Sequence, residues 1–276
     1  MLVAARAADS TPMVVAIHPR TTVVIPPRRS CRSRCEGQEL SVPRRSVVAM
    51  SADIALQQSL FDDGAPSPDA TFAGLDRVQL DETSWLDYCP GGVTGSDQLF
   101  ERMLAGGRWG QRTVRMYEKT VLEPRLTAAF ANDVADPGTP PELVEITRLL
   151  SARYALGLDR IWVNLYRDGG DSVAWHRDRN GKVHRNPLVA TVSLGGRRKF
   201  QVRRRGTTTI THTFTPGHGD LVVMGGAMQH DWEHTVPKSA TAVGARMSIT
   251  IRHAQGELLP GVHPGADFLG GRHARS

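Results

Sequence analysis

Alternating apolar and polar residues fill the second half of the chain. The run IWVNLY at 161–166 puts Trp162, Asn164 and Tyr166 on one face and three aliphatic residues on the other. The run ARMSITIR at 245–252 alternates in the same way, and its polar face carries Arg246, Ser248, Thr250 and Arg252. Period-two alternation is typical of half-buried strands. Six more short apolar runs separated by turn residues lie between these two, so the pattern predicts a mainly β sandwich or double-sheet jelly roll.

Helical patterns precede this region. In SDQLFERMLAGG, Ser96 is a suitable N-cap residue, apolar positions recur at helical spacing and a glycine pair ends the segment. Further on, Thr139 and Glu142 have the spacing of a capping box, and Pro140 would occupy the first helical position. We expect an amphipathic helix over 140–156 that supports the sheet, so the fold class is mainly β with flanking helices.

Two metal-capable side chains, His176 and Asp178, end the segment that begins at Ile161. On an extended strand they would share a face, and a distant histidine would complete a site with two histidines and one carboxylate. The segment QHDWEH offers His230 and His234. Extended structure is favoured there, and it would separate the two by roughly 13 Å, so only one of them should bind the ion. Periodicity does not say which one.

The two arginines on the polar face of ARMSITIR predict an anion site. Arg246 and Arg252 carry forked donors that match carboxylates, and a polar face inside a sandwich would hold them against a bound anion. The alternative is a surface strand with both arginines in water.

These motifs together resemble the AlkB family of Fe(II)- and 2-oxoglutarate-dependent dioxygenases, which demethylate alkylated nucleobases. The resemblance covers roughly residues 99–253. It rests on the order of Asn164-x-Tyr166, Gly169-x-Asp171, His176-x-Asp178, Ser193 to Gly195, Arg198-x-Phe200, His234 and Arg246 with Arg252.

The resemblance implies a double-stranded β-helix, that is, a jelly-roll dioxygenase fold. It implies Fe(II) on His176, Asp178 and His234, with O2 and the co-substrate 2-oxoglutarate. Asn164, Tyr166, Arg246, Thr250 and Arg252 would bind the co-substrate. The expected reaction is oxidative demethylation of N-alkylated bases in DNA, which repairs alkylation damage and releases formaldehyde, succinate and CO2. Demethylation of RNA is the alternative, and a non-catalytic, metal-binding nucleic-acid module belongs to a different class again.

Candidate substrate contacts follow from residue type and position. The basic, aromatic segment around Trp109, Arg112 and Tyr117 lies where the family has a lid, over about 106–132. Trp175, Asn180 and His230 flank the predicted ligands. Family members commonly carry acidic residues after the His-x-Asp motif, whereas this chain has Arg179, Asn180 and Gly181, so a cationic methylated base would lose a charge-assisted contact there.

The charge of the chain is uneven along its length. Residues 1–49 contain eight arginines and three acidic residues, which leaves 26 basic and 25 acidic residues in 50–276. The first 49 residues therefore predict a disordered basic leader. It would be a targeting segment, a nucleic-acid arm or untranslated sequence before a start at Met50. We expect an extension over 50–96, the dioxygenase domain over 97–258 and a flexible tail over 259–276.

Cysteine content and hydropathy indicate the cellular compartment of the protein. Three cysteines without a paired metal-site spacing predict no disulfide framework and a reducing, cytoplasmic location. No apolar run reaches the length of a transmembrane helix, so no membrane partner is expected. We expect a monomer whose partner is nucleic acid, with DNA preferred over RNA.

Overall fold

Two large antiparallel β-sheets, two small two-stranded sheets and two helices of more than ten residues make up most of the part of the chain that the structure describes. This computed structural model describes residues 46–47, 64–116 and 119–253. The predictions for most of the leader, for Met50, for Tyr117 and for the tail at 259–276 lie outside these residues. No helix within the described ranges is long and apolar enough to cross a membrane.

The strands are short and close together along the chain. They are β1 (Ser46–Val47), β2 (Ser67–Pro68), β3 (Asp76–Gln79), β4 (Ser84–Cys89), β5 (Val93–Thr94), β6 (Gly110–Gln111), β7 (Thr113–Met116), β8 (Lys119–Leu122), β9 (Leu126–Phe130), β10 (Leu158–Tyr166), β11 (Val173–His176), β12 (Val189–Gly195), β13 (Phe200–Arg204), β14 (Ile210–Phe214), β15 (Asp220–Gly226), β16 (Trp232–Val236) and β17 (Arg246–His253). The helices are α1 (Ser96–Gly106), α2 (Pro141–Tyr154) and the single turn α3 (Met228–Asp231), and a 3₁₀ turn spans Arg179–Lys182.

The larger sheet has nine strands in the order β1-β6-β9-β10-β17-β12-β15-β4-β3, and the smaller sheet has four in the order β11-β16-β13-β14. Consecutive strands β10, β11 and β12 alternate between the two sheets, as do β15, β16 and β17. This alternation is the connectivity of a double-stranded β-helix, so the predicted jelly-roll fold is confirmed. β17 lies at the centre of the larger sheet, between β10 and β12.

The two faces of the larger sheet have different neighbours. On the outer face, Val163, Leu165 and Ile249 pack in one core cluster with residues of α1 and α2, among them Phe100 and Leu150. On the inner face, side chains of both sheets meet in a second cluster that includes Tyr166, Val189, Phe200, Val202, Met224 and Trp232. Each buried aliphatic or aromatic side chain contributes about 1.5–3 kcal/mol. The alternation of β10 and β17 thus directs aliphatic residues towards the helices and polar residues between the sheets.

Both predicted helix starts are displaced by one residue. Gly95, with φ 63°, is the N-cap of α1, and the Ser96 hydroxyl donates to the carbonyl of Val93. The predicted capping box is wrong, because α2 begins at Pro141 with Pro140 as its N-cap. Pro141 takes the position where a missing N–H costs nothing, which moves the helix start past Thr139.

The residues of the predicted capping box make other contacts. Thr139 is buried, and its hydroxyl makes no hydrogen bond. The carboxylate of Glu142 accepts from Arg102 of α1 at 2.6 Å. Helix α2 ends at Tyr154 rather than at residue 156, with Ala155 in the left-handed conformation.

The region of the predicted lid forms a hairpin of β7 and β8, a separate two-stranded sheet between β6 and β9. Val121 and Leu122 of this hairpin are exposed. Before α1, β3 and β4 are the last two strands at one edge of the larger sheet. The described part of the predicted extension over 50–96 therefore contributes strands to the same sheet as the predicted dioxygenase domain.

Candidate metal centre

Three metal-capable side chains meet at the edge of the smaller sheet. His176 is the last residue of β11 and lies opposite His234 of β16, with ring centroids 4.2 Å apart. Asp178 follows in extended conformation, with φ −67° and ψ 147°, so its carboxylate stays on the same side as His176. Nε2 of His234 is 3.5 Å from Oδ2 of Asp178, and one donor atom from each of the three residues lies within 4.8 Å of the others. Two imidazoles and a carboxylate at this separation can share one metal ion.

Neighbouring groups fix the orientation of these side chains. Nδ1 of His176 lies 2.9 Å from the carbonyl oxygen of Ala174, so Nδ1 donates the proton and Nε2 carries the free lone pair. The backbone N–H of Asp178 donates to Oε1 of the buried Gln229 at 2.7 Å. The ring of Phe200 stacks on the imidazole of His234 at 5.3 Å. Supporting contacts of this kind hold metal ligands in the required rotamers.

The electrostatics favour the ligand forms of both His234 and Asp178. Burial, followed by the neighbouring His176, lowers the pKa of His234 to about 3, so its imidazole is neutral. Burial alone would raise the pKa of Asp178, but Arg252, and then the two histidines, hold that pKa below its ordinary value. Metal ions bind neutral imidazole and ionised carboxylate, and both forms are present at neutral pH.

The structure separates the two candidate histidines of QHDWEH. His234 lies in β16, whereas His230 lies in the turn α3. Nε2 of His230 is 2.9 Å from the carbonyl oxygen of Arg185, and His230 is absent from the group that could hold a metal. The expectation of extended structure over the whole segment was wrong at His230, because the chain turns at Ala227 before β16 begins.

The polar face of β17 extends from this group into the space between the sheets. Nη1 of Arg252 lies 3.3 Å from Oδ1 of Asp178. Arg246 is buried, Nε of its guanidinium donates to Oγ of Ser193 at 2.9 Å, and its Nη1 makes no hydrogen bond. Burial lowers the pKa of Arg246 to about 10, so it remains cationic at neutral pH. A buried guanidinium with an unused donor is suited to an acidic ligand.

The other residues that the resemblance assigned to the co-substrate lie on the same sheet face. Tyr166 is buried opposite Arg246, whose guanidinium carbon lies 5.5 Å from the centre of the Tyr166 ring. Asn164 is opposite Ser248, and Thr250 is buried opposite Trp162. The structure therefore gathers all five predicted residues on the inner face of two neighbouring strands.

Arg125 is a residue of this region that the sequence patterns did not indicate. Its Nε donates to Oδ1 of Asn164 at 3.1 Å, and its Nη2 lies 3.2 Å from a carboxylate oxygen of Glu123. Arg125 immediately precedes β9, and the pairing of β9 with β10 brings it beside Asn164. Sequence position alone gave no signal, because the contact depends on the register of two strands that are far apart in the chain.

Two predicted substrate contacts are wrong. Trp109 is buried among the residues packed on the outer face of the larger sheet, and its indole N–H donates to the carbonyl of Leu104 at 2.9 Å. Asn180 is completely buried in the 3₁₀ turn, and its amide donates to the carbonyl of Leu188. Both side chains are buried, so the structure places neither of them where a substrate would contact it.

Other predicted substrate residues are accessible but not gathered at the metal-capable group. Trp175 is half-buried, alternates with His176 on β11, and is covered by the guanidinium of Arg203 at 4.2 Å. Arg112 is half-buried at the start of the lid hairpin. Their role in substrate binding stays a prediction.

A cavity of about 210 Å³ opens beside the metal-capable group, lined by His176, Arg177, Asp178, Lys182, Gln229 and Glu233. Oε2 of Glu233 accepts two hydrogen bonds from Arg203, at 2.7 and 2.9 Å. Arg177 donates to the carbonyl of His230, and Lys182 is exposed. With Glu233 paired to Arg203, the lining beyond the metal-capable residues has a positive charge.

Comparison with known proteins decides the family. A family model described as the 2OG-Fe(II) oxygenase superfamily matches residues 96–252, which include every member of the site described above. The chain belongs to the 2OG-Fe(II) oxygenase superfamily. The 2OG-Fe(II) oxygenase match also confirms the predicted enzyme class.

The chain is also similar to named proteins of the AlkB group. It is 31% identical over 198 residues to alpha-ketoglutarate-dependent dioxygenase alkB homolog 3 of Bos taurus, covering 65% of this chain and 66% of the relative. The human protein of the same name is 29% identical, with 65% and 70% covered. DNA oxidative demethylase ALKBH2 of Arabidopsis thaliana is 27% identical, with 52% and 57% covered. The predicted AlkB resemblance is confirmed, and the chain spans about two thirds of the length of the bovine relative.

The residues present fit the groups that 2OG-Fe(II) oxygenases use. Two histidines and one carboxylate with adjacent open space are the donor set of non-haem Fe(II). The unpaired Nη1 of buried Arg246 is a donor that a carboxylate of 2-oxoglutarate would satisfy. The metal-capable side chains and Arg246 all belong to residues that the structure describes.

Proposed function

We propose that this protein removes N-methyl groups from bases in DNA, in a reaction that consumes O2 and 2-oxoglutarate and yields formaldehyde, succinate and CO2. The observation that carries the proposal is the convergence of His176, Asp178 and His234 within 4.8 Å, beside a strand whose inner face also carries the buried Arg246 with its unused donor. One end of this arrangement suits a metal ion, and the other suits an anion.

The metal would be held by His176, Asp178 and His234, and when bound it supplies the oxidising chemistry that the protein's side chains lack. Arg246 would bind one carboxylate of 2-oxoglutarate, and Arg252, beside Asp178, would bind the other. Asn164, Tyr166 and Thr250 line the same face and would complete the contacts.

The protein orients these groups and limits water. Ser193 holds the Arg246 guanidinium at a fixed angle through its hydroxyl, and Gln229 holds the backbone of Asp178. The Phe200 ring covers one side of His234. Because Phe200 and Tyr166 of the inner apolar cluster pack against His234 and Arg246, charges at these positions interact more strongly than they would in water.

Two features support a nucleic-acid substrate. The relatives include proteins named DNA oxidative demethylase. The cavity beside the metal-capable group also has Arg177 and Lys182 in its lining, and cationic side chains attract phosphate. An alkyl group on the pairing edge of a base becomes accessible only when the base leaves the stack, at a cost of a few kcal/mol. A single-stranded substrate therefore suits this site.

The test is turnover with purified protein, Fe(II), 2-oxoglutarate and oligonucleotides that carry one N-methylated adenine or cytosine. We expect equimolar formaldehyde and succinate with single-stranded DNA, and less product with RNA of the same sequence. Greater product from the RNA would make RNA the substrate. Succinate without formaldehyde from either would contradict demethylation while leaving the oxygenase chemistry in place.

A further inference from the structure

Arg198 is a buried cation outside the groups assigned so far. It lies in the connection between β12 of the larger sheet and β13 of the smaller one, and only 2% of its surface is exposed. Its Nη1 donates to the carbonyl of Asp168 at 2.8 Å, and its Nη2 donates to the carbonyls of Asp171 and Pro237, both at 2.7 Å. All three acceptors are backbone carbonyl oxygens. Arg198 therefore holds the backbone of these segments in place and does not pair with a charged side chain.

The three carbonyls belong to the two loops that adjoin the ligand strands. Asp168 and Asp171 lie in the loop before β11, and Asp171 is five residues before His176. Pro237 directly follows β16 and is three residues after His234. One guanidinium thus joins the start of one ligand strand to the end of the other.

The same two loops touch at a second point. The backbone N–H of Ser239 donates to the carbonyl of Gly169 at 2.8 Å. A methyl group at Gly169 would lie 2.9 Å from the carbonyl oxygen of Ser239 and 3.2 Å from its Cβ. The loops are therefore packed closely enough that only glycine fits at position 169.

The pairing of β11 with β16 needs such support. Val173 pairs with Val236 and His176 with His234, so β11 has one residue more than β16 between the two pairs. A bulge interrupts the ladder and weakens the local constraint on register. The contacts of Arg198 lie at the Val173 end, where they fix both strands before the bulge.

A buried guanidinium is costly unless its donors are satisfied. Arg198 faces backbone carbonyls rather than a buried carboxylate, and its guanidinium carbon lies 5.6 Å from the ring centre of Tyr166. Two donor nitrogens in a rigid plane can hold two loops at a fixed separation, which a single ammonium group does less well.

We propose that Arg198 is a positioning residue for the metal centre, which sets the register of His176 relative to His234 by clamping the 168–171 loop to Pro237. This rests on the proposed function only in assuming that the three side chains bind a metal. It predicts that loss of the clamp weakens metal binding out of proportion to any loss of stability.

The experiment is calorimetric titration of the full-length protein with Co²⁺ under nitrogen, without nucleic acid, for wild type, Arg198→Met and Arg198→Lys. Losing an outer contact of a metal ligand typically costs roughly 10- to 100-fold in metal affinity. Arg198 bonds to the adjoining loops and not to a ligand, so we expect a loss near the lower end of this range, roughly tenfold, for Arg198→Met. For Arg198→Lys we expect a smaller loss, because lysine keeps the charge and reaches fewer of the carbonyls.

Two further variants separate positioning from folding. Tyr154→Phe removes a 2.8 Å hydrogen bond to Asp87 on the far side of the larger sheet. It should lower the melting temperature without changing the Co²⁺ affinity. Gly169→Ala should push the two loops apart with Arg198 intact and should weaken Co²⁺ binding, which keeps the proposal testable if Arg198→Met does not fold.

Each outcome decides a different point. Wild-type Co²⁺ affinity in Gly169→Ala and in the folded Arg198 variants would overturn the positioning role. Affinity that falls in all variants in proportion to melting temperature, Tyr154→Phe included, would also overturn it. Absence of Co²⁺ binding by wild type would instead contradict the metal site, and binding without demethylation would contradict only the proposed reaction.

Discussion

Arg252 lies 3.3 Å from Asp178, through Nη1 and Oδ1. The contact joins the central strand of the larger sheet to the residue that follows the edge strand of the smaller one. It also places a cation beside a carboxylate that is to bind a dication. Arg252 thus keeps Asp178 ionised but would repel a dication bound there, and under the proposed function its use is to bind a carboxylate of 2-oxoglutarate.

Arg252→Gln should affect the affinity for the metal ion and the affinity for 2-oxoglutarate differently. Without the cation, Asp178 should bind Co²⁺ at neutral pH at least as tightly as in wild type. The affinity for 2-oxoglutarate should fall roughly tenfold or more, because a charge-assisted hydrogen bond contributes about 1.5–3 kcal/mol. Arg160→Gln is the matched control, since Arg160 pairs with Arg252 in the sheet and its side chain is 52% exposed. Equal loss of 2-oxoglutarate binding in both variants would contradict the assignment.

Arg246→Met tests the buried end of the anion site. Methionine has similar length and no charge, and it removes a guanidinium that has one donor unsatisfied in the free protein. The melting temperature should therefore be unchanged or higher. Succinate production should fall roughly 10- to 100-fold, because methionine cannot make the charge-assisted hydrogen bond, of about 1.5–3 kcal/mol, to the carboxylate of the co-substrate. A variant that is unstable but keeps normal affinity for 2-oxoglutarate would show that Arg246 is structural.

His230 and His234 offer a paired comparison. His234→Ala should lose Co²⁺ binding and turnover, because the imidazole lies with His176 and Asp178. His230→Ala removes a contact to the carbonyl of Arg185 and should keep metal affinity within about threefold. Titration of both variants checks the assignment, and metal loss in His230→Ala alone would reverse it.

The contacts of Asp81 predict that its contribution to the free energy of unfolding depends on pH. Its Oδ2 accepts from the Trp232 indole at 2.9 Å and from Arg204 at 3.0 Å, and its Oδ1 accepts from the backbone of Thr83 and Ser84. Burial would raise the pKa of Asp81, but these hydrogen bonds, led by that from Trp232, hold it below its ordinary value. Asp81→Ala should cost about 2–3 kcal/mol at neutral pH, since hydrogen bonds to a charged acceptor are lost.

The sign of the pH effect follows from the lowered pKa. In the unfolded chain Asp81 ionises near pH 3.8, so its full contribution is present above that pH. The contribution is lost as the pH falls through the lower pKa of the folded protein. Denaturant melts should therefore show the largest difference between wild type and Asp81→Ala at neutral pH and a shrinking one below about pH 4. A constant difference down to strongly acid pH would contradict the account.

The sequence predicted those features that depend on local pattern. Alternation in β10 and β17 indicated which residues lie between the sheets, because side chains in a strand change face at every residue. The spacing of His176 and Asp178 predicted that their side chains share one face for the same reason. His234 could be chosen over His230 only through the family resemblance, because periodicity places both on one side.

The errors at Trp109 and Asn180 have a common cause. Residue type indicates what a side chain can contact, but it does not show how deeply the side chain is buried in the folded protein. Trp109 lies between α1 and the sheet, where Leu104 accepts its indole N–H, and Asn180 lies inside a turn. Exposure is set by elements distant in the sequence, so a single sequence gives no measure of it.

Ser193 and Arg198 stand in the motifs that carry the family resemblance, but the contacts of these two residues and of Arg125 could not be read from the sequence. Each acts through a contact across strands or loops: Arg125 with Asn164, Ser193 with Arg246, and Arg198 with three carbonyls. Such contacts depend on strand register and on the path of loops. Register follows from the whole set of pairings and not from any one segment.

The most direct test of the central claim is single-turnover product analysis with an N-methylated single-stranded DNA oligonucleotide, comparing wild type with Asp178→Ala. Wild type should release one formaldehyde per succinate and leave the unmethylated base. Asp178→Ala should release neither while its melting temperature stays close to that of wild type. Equal product yield from the two proteins would contradict a catalytic metal centre at His176, Asp178 and His234.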